Sequence, residues 1–485
     1  MGDLRNKTLK GFMWKTIQSL ASTGLSFFFM IFMTRLLSPN DYGLIGMLSV
    51  FIVLSQAFID CGFGQALVRK QNRTILDEST VFYFNIAAST FCYFLLFLAA
   101  PLIASFYDMP ILCGILRLQG ISLIISAFSS IQVLICSINI DFKTPTYVGL
   151  IASTISGISG IVIAYLGYGV WSLVWQQIIL ALITTIVYFI FSPWRPVWGF
   201  SRETFKEMFS FGSKLLGARL INIFYNKLAP IVIGKRYSAA DLGLFSKAEQ
   251  LASFPCNMLM GIIQGVSYPV LCKLQDDRES LCTAYARLIR VTSFLLFPLM
   301  VFLSFYGKQV MVSLFGVQWG DAGIYMTLLC IPWMVVPIQC LNLNLLQVVG
   351  RSDLLLKLEI IGKVIGFTVL IVALPISVLA VCVGYIITTY ICFFVNTYYT
   401  SKFINYSLFR QLRDVFRPLF LSAIVVGSSL YISSLVENSF FQLIFGFITS
   451  FVLYILLSYL LKMKELSFVL SILKEKLSKQ YNNVN

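Results

Sequence analysis

The chain has 485 residues, of which 58% are hydrophobic, 15% aromatic and 12% charged, with a mean hydropathy of +0.85 and a formal net charge of +15. That balance excludes a water-soluble globular protein of this length, and the complete lack of histidine excludes His-based triads, His metal sites and His proton relays. Apolar runs long enough to cross a hydrocarbon core of about 30 Å recur along nearly the whole chain without the period-2 alternation of a barrel, so the expected fold is an all-α integral membrane bundle.

In chain order, the apolar runs predict spans near 12–35, 43–63, 80–104, 112–136, 146–167 and 170–191, a first set of six. A more polar stretch follows, holding Pro193, Arg195, Pro196, Arg202, Glu203, Lys206 and Glu207. A second six lies near 211–233, 246–271, 290–306, 325–346, 356–376 and 378–400, and two more runs, near 415–435 and 439–461, precede a charged tail. About 14 transmembrane helices are therefore expected. They divide into an N-terminal six-helix lobe over 1–200, a second lobe over 201–405, a terminal helix pair over 406–463 and a tail over 464–485. In the tail, Leu466, Val469, Leu470, Leu473 and Leu477 recur at helical spacing among Lys474, Lys476 and Lys479, as in a helix lying on the cytoplasmic membrane surface.

Lysine and arginine orient the spans, because they concentrate in short cytoplasmic loops. With the N-terminus inside, most of the 36 basic residues fall on the cytoplasmic side, including Arg5, Lys7, Lys10 and Lys15, the cluster from Arg69 to Arg73, and those after residue 461. Lys235, Arg236 and Lys247 form an exceptional external cluster. The positive charge thus reflects topology and anionic lipid, and no nucleic-acid partner is expected. The basic N-terminus leads into a long apolar run without a small-residue cleavage site, which reads as an uncleaved first span in a multi-pass protein with both termini cytoplasmic. The eleven cysteines form no CxxC pair and read as buried small hydrophobes. No cofactor or metal is expected.

One motif occurs twice. Ser38-Pro39-Asn40-Asp41-Tyr42-Gly43-Leu44 and Ser238-Ala239-Ala240-Asp241-Leu242-Gly243-Leu244 both fit S-x-x-D-x-G-L, each between the first and second spans of its six. Serine and aspartate in this pattern cap a helix. The matching position further suggests two parallel repeats around a central cavity, the arrangement of secondary transporters whose substrate site lies where the repeats meet.

The run Thr34-Arg35-Leu36-Leu37-Ser38-Pro39-Asn40-Asp41-Tyr42-Gly43-Leu44, followed by Asp60-Cys61-Gly62-Phe63-Gly64-Gln65-Ala66-Leu67, resembles bacterial polysaccharide transporters. So does Asp241-Leu242-Gly243-Leu244-Phe245-Ser246-Lys247-Ala248, leading to Pro255, Tyr268-Pro269 and Gln275-Asp276-Asp277. The resemblance is to the Wzx-type lipopolysaccharide and exopolysaccharide exporters, in the colanic-acid and teichuronic-acid branch of the multidrug, oligosaccharidyl-lipid and polysaccharide exporter superfamily. Phe245 departs from it, since the family often has tyrosine there. The resemblance implies a flippase that carries undecaprenyl-diphosphate-linked oligosaccharide across the cytoplasmic membrane by alternating access. It implies as partners the lipid-linked substrate, membrane lipids, and the polysaccharide polymerase and glycosyltransferases of the pathway.

Such a substrate calls for a cationic, polar cavity, and charged residues kept inside spans usually face a bundle interior or water. At 100° per residue Arg219, Asn222, Asn226 and Lys227 fall within an arc of about 140° on span 7, the leading substrate-facing stripe. Span 1 aligns Lys15, Gln18, Ser19, Ser22 and Ser26, and span 8 aligns Ser246, Gln250, Ser253, Asn257 and Gln264, suited to sugar hydroxyls. Arg117 stands alone toward the outer side of span 4. Lys15 and Lys214 equally fit snorkelling to head groups. Asp60 is either a helix cap or part of a gate, while Glu359 and Lys363, at i and i+4, are either a structural ion pair or an ion pathway. Pro255, Pro298, Pro332 and Pro337 interrupt spans as hinges or static bends.

Two other function classes compete. A cation-coupled multidrug exporter of the same superfamily calls for acidic rather than basic cavity residues. A membrane enzyme such as a polymerase calls for a large polar external loop, whereas these loops are short. No GxxxxGK[ST] loop is present for ATP-driven transport.

Overall fold

The computed structural model describes residues 24–404, 406–436, 438–468 and 470–471. In chain order the helices are α1 (Gly24–Leu36), α2 (Pro39–Asp60), α3 (Phe63–Arg69), α4 (Ile75–Tyr107), α5 (Ile111–Ile138), α6 (Lys143–Tyr165), α7 (Val170–Phe191), α8 (Arg202–Arg236) and α9 (Ala239–Cys272). There follow α10 (Arg278–Phe305), α11 (Gly307–Phe315), α12 (Ala322–Val348), α13 (Ser352–Ala373), α14 (Val378–Ser401), α15 (Leu408–Ser433) and α16 (Ser439–Leu460). Among the described residues there is no strand. Among the described residues every predicted span lies mainly on helix, residues 12–23 of the first falling outside them, and ten helical stretches there are long and apolar enough to cross a membrane. The long helices α8, α9 and α13 are not among those ten: α8 carries Lys214, Arg219 and Lys227, α9 carries Lys247, Glu249 and Asn257, and α13 carries Lys357, Glu359 and Lys363.

The chain folds as two compact units, residues 1–243 and 244–485. In the first, α4 runs along α5, α7 packs on both α5 and α6, and α8 lies along α2, α3 and α4. Cys61, Phe63, Leu67, Val81, Phe82, Ile131, Trp194 and Met208 form a buried core cluster there. In the second unit α10 packs on α12 and α15, α14 on α12 and α13, and α16 on α15. A buried polar chain ties this unit together: Tyr285 donates to Asn342 Oδ1, as does Gln411 Nε2 at 3.2 Å, and Asn342 Nδ2 donates to Thr397 Oγ1 at 3.2 Å. Pro255, Pro298, Pro332 and Pro337 all lie inside continuous helices, α9, α10 and α12.

The polar stretch between α7 and α8 is laced to the start of α4. Trp194 Nε1 donates to Glu78 Oε2 at 2.7 Å, Val197 N to Ser79 Oγ at 3.0 Å and Ser201 N to Thr80 Oγ1 at 3.0 Å. At the centre is Asp77, 4% exposed, which caps α4 through the Thr74 N–H, accepts from Thr204 Oγ1 and pairs with Lys70 at 3.0 Å. Because Lys70 stays 26% exposed, the cost of losing Asp77 falls mainly on the cap and the bond to Thr204, about 2 kcal/mol in all. Asp77→Ala is accordingly expected to lower the melting temperature of the purified protein by several degrees, and an unchanged melting curve would show that the carboxylate does not hold the linker.

The repeated motif is a helix cap combined with a close backbone contact. Ser38 caps α2, with its N–H donating to Asp41 Oδ2 at 2.9 Å and its Oγ accepting from Asp41 N at 3.3 Å. Ser238 and Asp241 bond likewise at the start of α9. A Cβ on Gly43 would run into the carbonyl of Ala239, and a Cβ on Gly243 into the carbonyl of Pro39. The two contacts are reciprocal, each glycine lying against the first residue of the other helix, and all four positions fall in the first unit. Phe245 is fully buried and stacked on Tyr385, with ring centroids 6.4 Å apart, an environment that asks for no hydroxyl.

Candidate functional site

Within the predicted second span the helix breaks. Asp60 is the last residue of α2, Cys61 takes the left-handed conformation at φ 37°, Gly62 follows at φ 69°, and α3 begins at Phe63. Left-handed backbone favours glycine, and Gly62 is required for a second reason: a Cβ there would lie 2.9 Å from the Cα of Gly212 on α8. A Cβ on Gly212 would in turn meet the Cys61 carbonyl. The two glycines let the break rest directly on the α8 backbone.

That approach brings Asp60 to Arg219, about two turns further along α8. Arg219 Nη1 donates to Asp60 Oδ2 at 3.0 Å, and Gln56 Nε2 reaches Oδ1 at 3.4 Å. A carboxylate at a helix C-terminus faces the negative end of the helix dipole, so the guanidinium offsets an unfavourable placement. The side chains remain 51% and 37% exposed, and a pair so open to solvent contributes about 1 kcal/mol or less to folding. It is therefore a contact that another anion can displace at little structural cost.

The pair lines a cavity of about 710 Å³ built from α2, α3, α4, α5 and α8. Its polar wall is Asp60, Gln65, Asn85, Ser130, Ser137 and Arg219, with Asn85 Nδ2 bonded to Ser130 Oγ at 2.9 Å. A second recess of about 780 Å³ is almost wholly apolar, lined by Phe51, Phe58, Phe84, Phe91, Leu95 and Phe209 among others. Leu216 borders both, and of two consecutive residues Asp60 lines the first while Cys61 lines the second. A largely apolar cavity with one polar wall that includes Arg219 thus adjoins an apolar groove, a shape that suits an amphiphile with an anionic head and a long hydrocarbon chain.

The predicted stripe on α8 divides. Arg219 lines the cavity, whereas Asn222 and Asn226 are exposed, Lys227 is half-buried, and none of these three lines it. Asp60, read from sequence as a cap or gate, joins Arg219 instead. Arg117 is engaged by α4: its Nε donates to the Phe97 carbonyl at 3.4 Å and its guanidinium sits 4.1 Å from the centre of the Phe97 ring. Gln250 accepts from Lys247 Nζ at 3.1 Å, and Asn257 is exposed on α9. Lys247, assigned from sequence to an external loop, lies inside α9 and is 5% exposed. Its neighbour in the exceptional cluster, Lys235, is paired with Asp108 at 2.7 Å. On α13, Glu359 is exposed and Lys363 half-buried. Lys15, Gln18 and Ser22 lie outside the described residues. Sequence reasoning missed Asn85, Ser130, Ser137 and Gln65, small or uncharged polar residues in or beside apolar runs. Gly62 and Gly64, just before Gln65, were the one available signal, since closely spaced glycines often mark close backbone packing.

The model of a family described as "Polysaccharide biosynthesis protein" matches residues 32–324. Among individual proteins, the chain is 22% identical to the teichuronic acid biosynthesis protein TuaB of Bacillus subtilis, over 87% of this chain and 88% of that one. It is 22% identical to the lipopolysaccharide biosynthesis protein WzxC of Escherichia coli, over 86% of each. It is 24% identical to the succinoglycan biosynthesis transport protein ExoT of Rhizobium meliloti, a match spanning 64% of this chain and 63% of that relative's length. Among solved structures, the lipid II flippase MurJ in an inward closed conformation superposes with a TM-score of 0.73 at 14% identity, covering 93% of this chain and 99% of MurJ. An inward-facing multidrug transporter of the MATE family superposes with a TM-score of 0.58 at 17% identity, covering 80% and 95%. The fold is the one these transporters share.

Proposed function

The chain belongs to the polysaccharide biosynthesis protein family whose model spans its residues 32–324, and from that membership we propose that it is a flippase for lipid-linked oligosaccharide. It moves undecaprenyl-diphosphate-linked repeat units across the cytoplasmic membrane for the synthesis of a surface polysaccharide. It is a transporter, not an enzyme, and its termini face the cytoplasm. Transport proceeds by alternating access between lobes 1–200 and 201–405, with the terminal pair 406–463 appended. The relatives' names concern teichuronic acid, lipopolysaccharide and succinoglycan biosynthesis, so they agree on polysaccharide biosynthesis and not on one polymer.

The observation that carries this reading is the junction, at the α2 break, of the cavity whose polar wall holds Arg219 with the apolar groove. Arg219 exchanges Asp60 for the substrate diphosphate, Gln65, Asn85, Ser130 and Ser137 meet sugar hydroxyls, and the phenylalanine-lined groove takes the start of the polyprenyl chain. Charge-assisted hydrogen bonds from a guanidinium to phosphate are stronger than neutral ones, so the diphosphate is able to compete with a single carboxylate. A cation-coupled multidrug exporter would need an uncommitted acid in the cavity, and the one acid that lines it, Asp60, is bound to Arg219.

The test is deletion of the gene in its own host, followed by assay of lipid-linked repeat units on each face of the membrane. Accumulation on the cytoplasmic face, reversed by the wild-type gene, is expected. Normal delivery to the outer face in the deletion strain would refute the proposal.

A further inference from the structure

A second built recess lies in the other unit, and all of its lining residues except Arg290 fall beyond residues 32–324 that the family model covers. It has a volume of about 530 Å³ and lies where α10, the first turns of α15 and the chain leaving α16 converge. The geometry begins with the end of α16. Lys462 takes the left-handed conformation at φ 50°, Lys462 N bonds to the Tyr459 carbonyl, and Met463 N bonds to the Ser458 carbonyl. This C-terminal cap turns residues 462–465 back beside α15. Five basic residues, Arg290, Arg413, Arg417, Lys462 and Lys464, then line one recess with two acidic ones, Asp414 and Glu465.

The acids are already committed. Arg290 bridges both, at 3.8 Å to Asp414 and 3.7 Å to Glu465, and the Tyr406 hydroxyl donates to Asp414 at 2.8 Å. Arg413, Arg417, Lys462 and Lys464 are exposed and make no ion pair among the described residues. Their charge is left for an external anion. Immediately along α15, Phe416, Phe420 and Ile424 also line the recess, at i, i+4 and i+8, and are 60%, 57% and 47% exposed. A basic mouth continues into an apolar strip on one helix face. A free phosphate would use only the first.

We propose that this recess binds an anionic phospholipid, its phosphate held by Arg413, Arg417, Lys462 and Lys464 and an acyl chain laid along Phe416, Phe420 and Ile424. Basic pockets between spans at the cytoplasmic surface suit such head groups, and each nearby Lys or Arg strengthens attraction to anionic lipid. The apolar strip adds the non-directional contribution of burying hydrocarbon. This site is separate from the Arg219 cavity and does not depend on the transported substrate.

The experiment is native mass spectrometry of the full chain in neutral detergent, titrated separately with phosphatidylglycerol, phosphatidylcholine and inorganic phosphate. The wild-type chain is expected to retain phosphatidylglycerol on the order of tenfold better than phosphatidylcholine. A variant combining Arg413→Gln, Arg417→Gln, Lys462→Gln and Lys464→Gln is expected to lose most of that preference. Should that variant not fold, Lys462→Gln with Lys464→Gln, both exposed beyond the end of α16, is expected to lose about half of it on the logarithmic scale. As a control for general charge, Arg202→Gln with Lys206→Gln at the start of α8 should keep the preference. Equal retention of the two lipids, undiminished preference in the recess variants, or equal loss in the control would each overturn the proposal. Displacement of phosphatidylglycerol by millimolar inorganic phosphate would overturn it too, because the site would then be one for free phosphate.

Discussion

Arg219→Ala is expected to lower export of lipid-linked repeat units about tenfold or more while leaving the level of protein in the membrane unchanged. The magnitudes separate the two effects. A hydrogen bond to a charged group contributes about 1.5–3 kcal/mol, a factor of ten or more, when its loss is felt by a bound diphosphate. The same arginine contributes about 1 kcal/mol or less to folding, because it and Asp60 are 51% and 37% exposed. Arg219→Lys, which keeps the charge and loses the planar fork, should retain part of the export. The exchange of Asp60→Arg with Arg219→Asp distinguishes a clamp from a ligand: a mere clamp is restored by the swap, whereas a diphosphate ligand is displaced by it and export stays low. Undiminished export by Arg219→Ala at normal protein levels would remove the residue from the mechanism.

The second large effect is on folding. Gly43→Ala adds one methyl group, yet its Cβ would fall on the carbonyl of Ala239, a backbone atom at the start of another helix. Overpacking costs about 1–3 kcal/mol where side chains can shift, and here a backbone must move, so about 3 kcal/mol or more is expected. Protein in the membrane, followed by size-exclusion profile and immunoblot, should fall severalfold. Gly149→Ala on α6 is the matched control, since nothing lies within 4 Å of the added atom. If the two variants accumulate equally, the contact at Gly43 does not limit folding.

Hydropathy located the spans because hydrocarbon forces backbone polar groups to be satisfied within each helix, and that requirement is local. It did not reveal the break at Cys61 and Gly62, because hydropathy averages over a window and the apolar run before Asp60 outweighs the single charge and the glycines beside it. The 100° arc on α8 put Arg219 forward, since charge in a span is a one-dimensional signal. Its partner Asp60 stands 159 residues away, and Asn85, Ser130 and Ser137 come from other helices, so the cavity exists only after packing. Tyr285, Asn342, Thr397 and Gln411 were illegible for the same reason: each looks alone in sequence and only the fold makes them one buried network.

The segment from Ser192 to Ser201, with its two prolines, an arginine and a glycine, has the look of a seam, where a cloning site or a fluorescent tag would ordinarily be placed between two domains. Its backbone N–H groups at Val197 and Ser201 and the indole of Trp194 are fastened to α4. It works as a buckle and not as a leash. Tolerance to insertion follows the hydrogen bonding of the backbone it interrupts, so a passenger protein spliced there would unfasten the first unit, and bisecting the gene at this point would leave the front half without the strap that closes it.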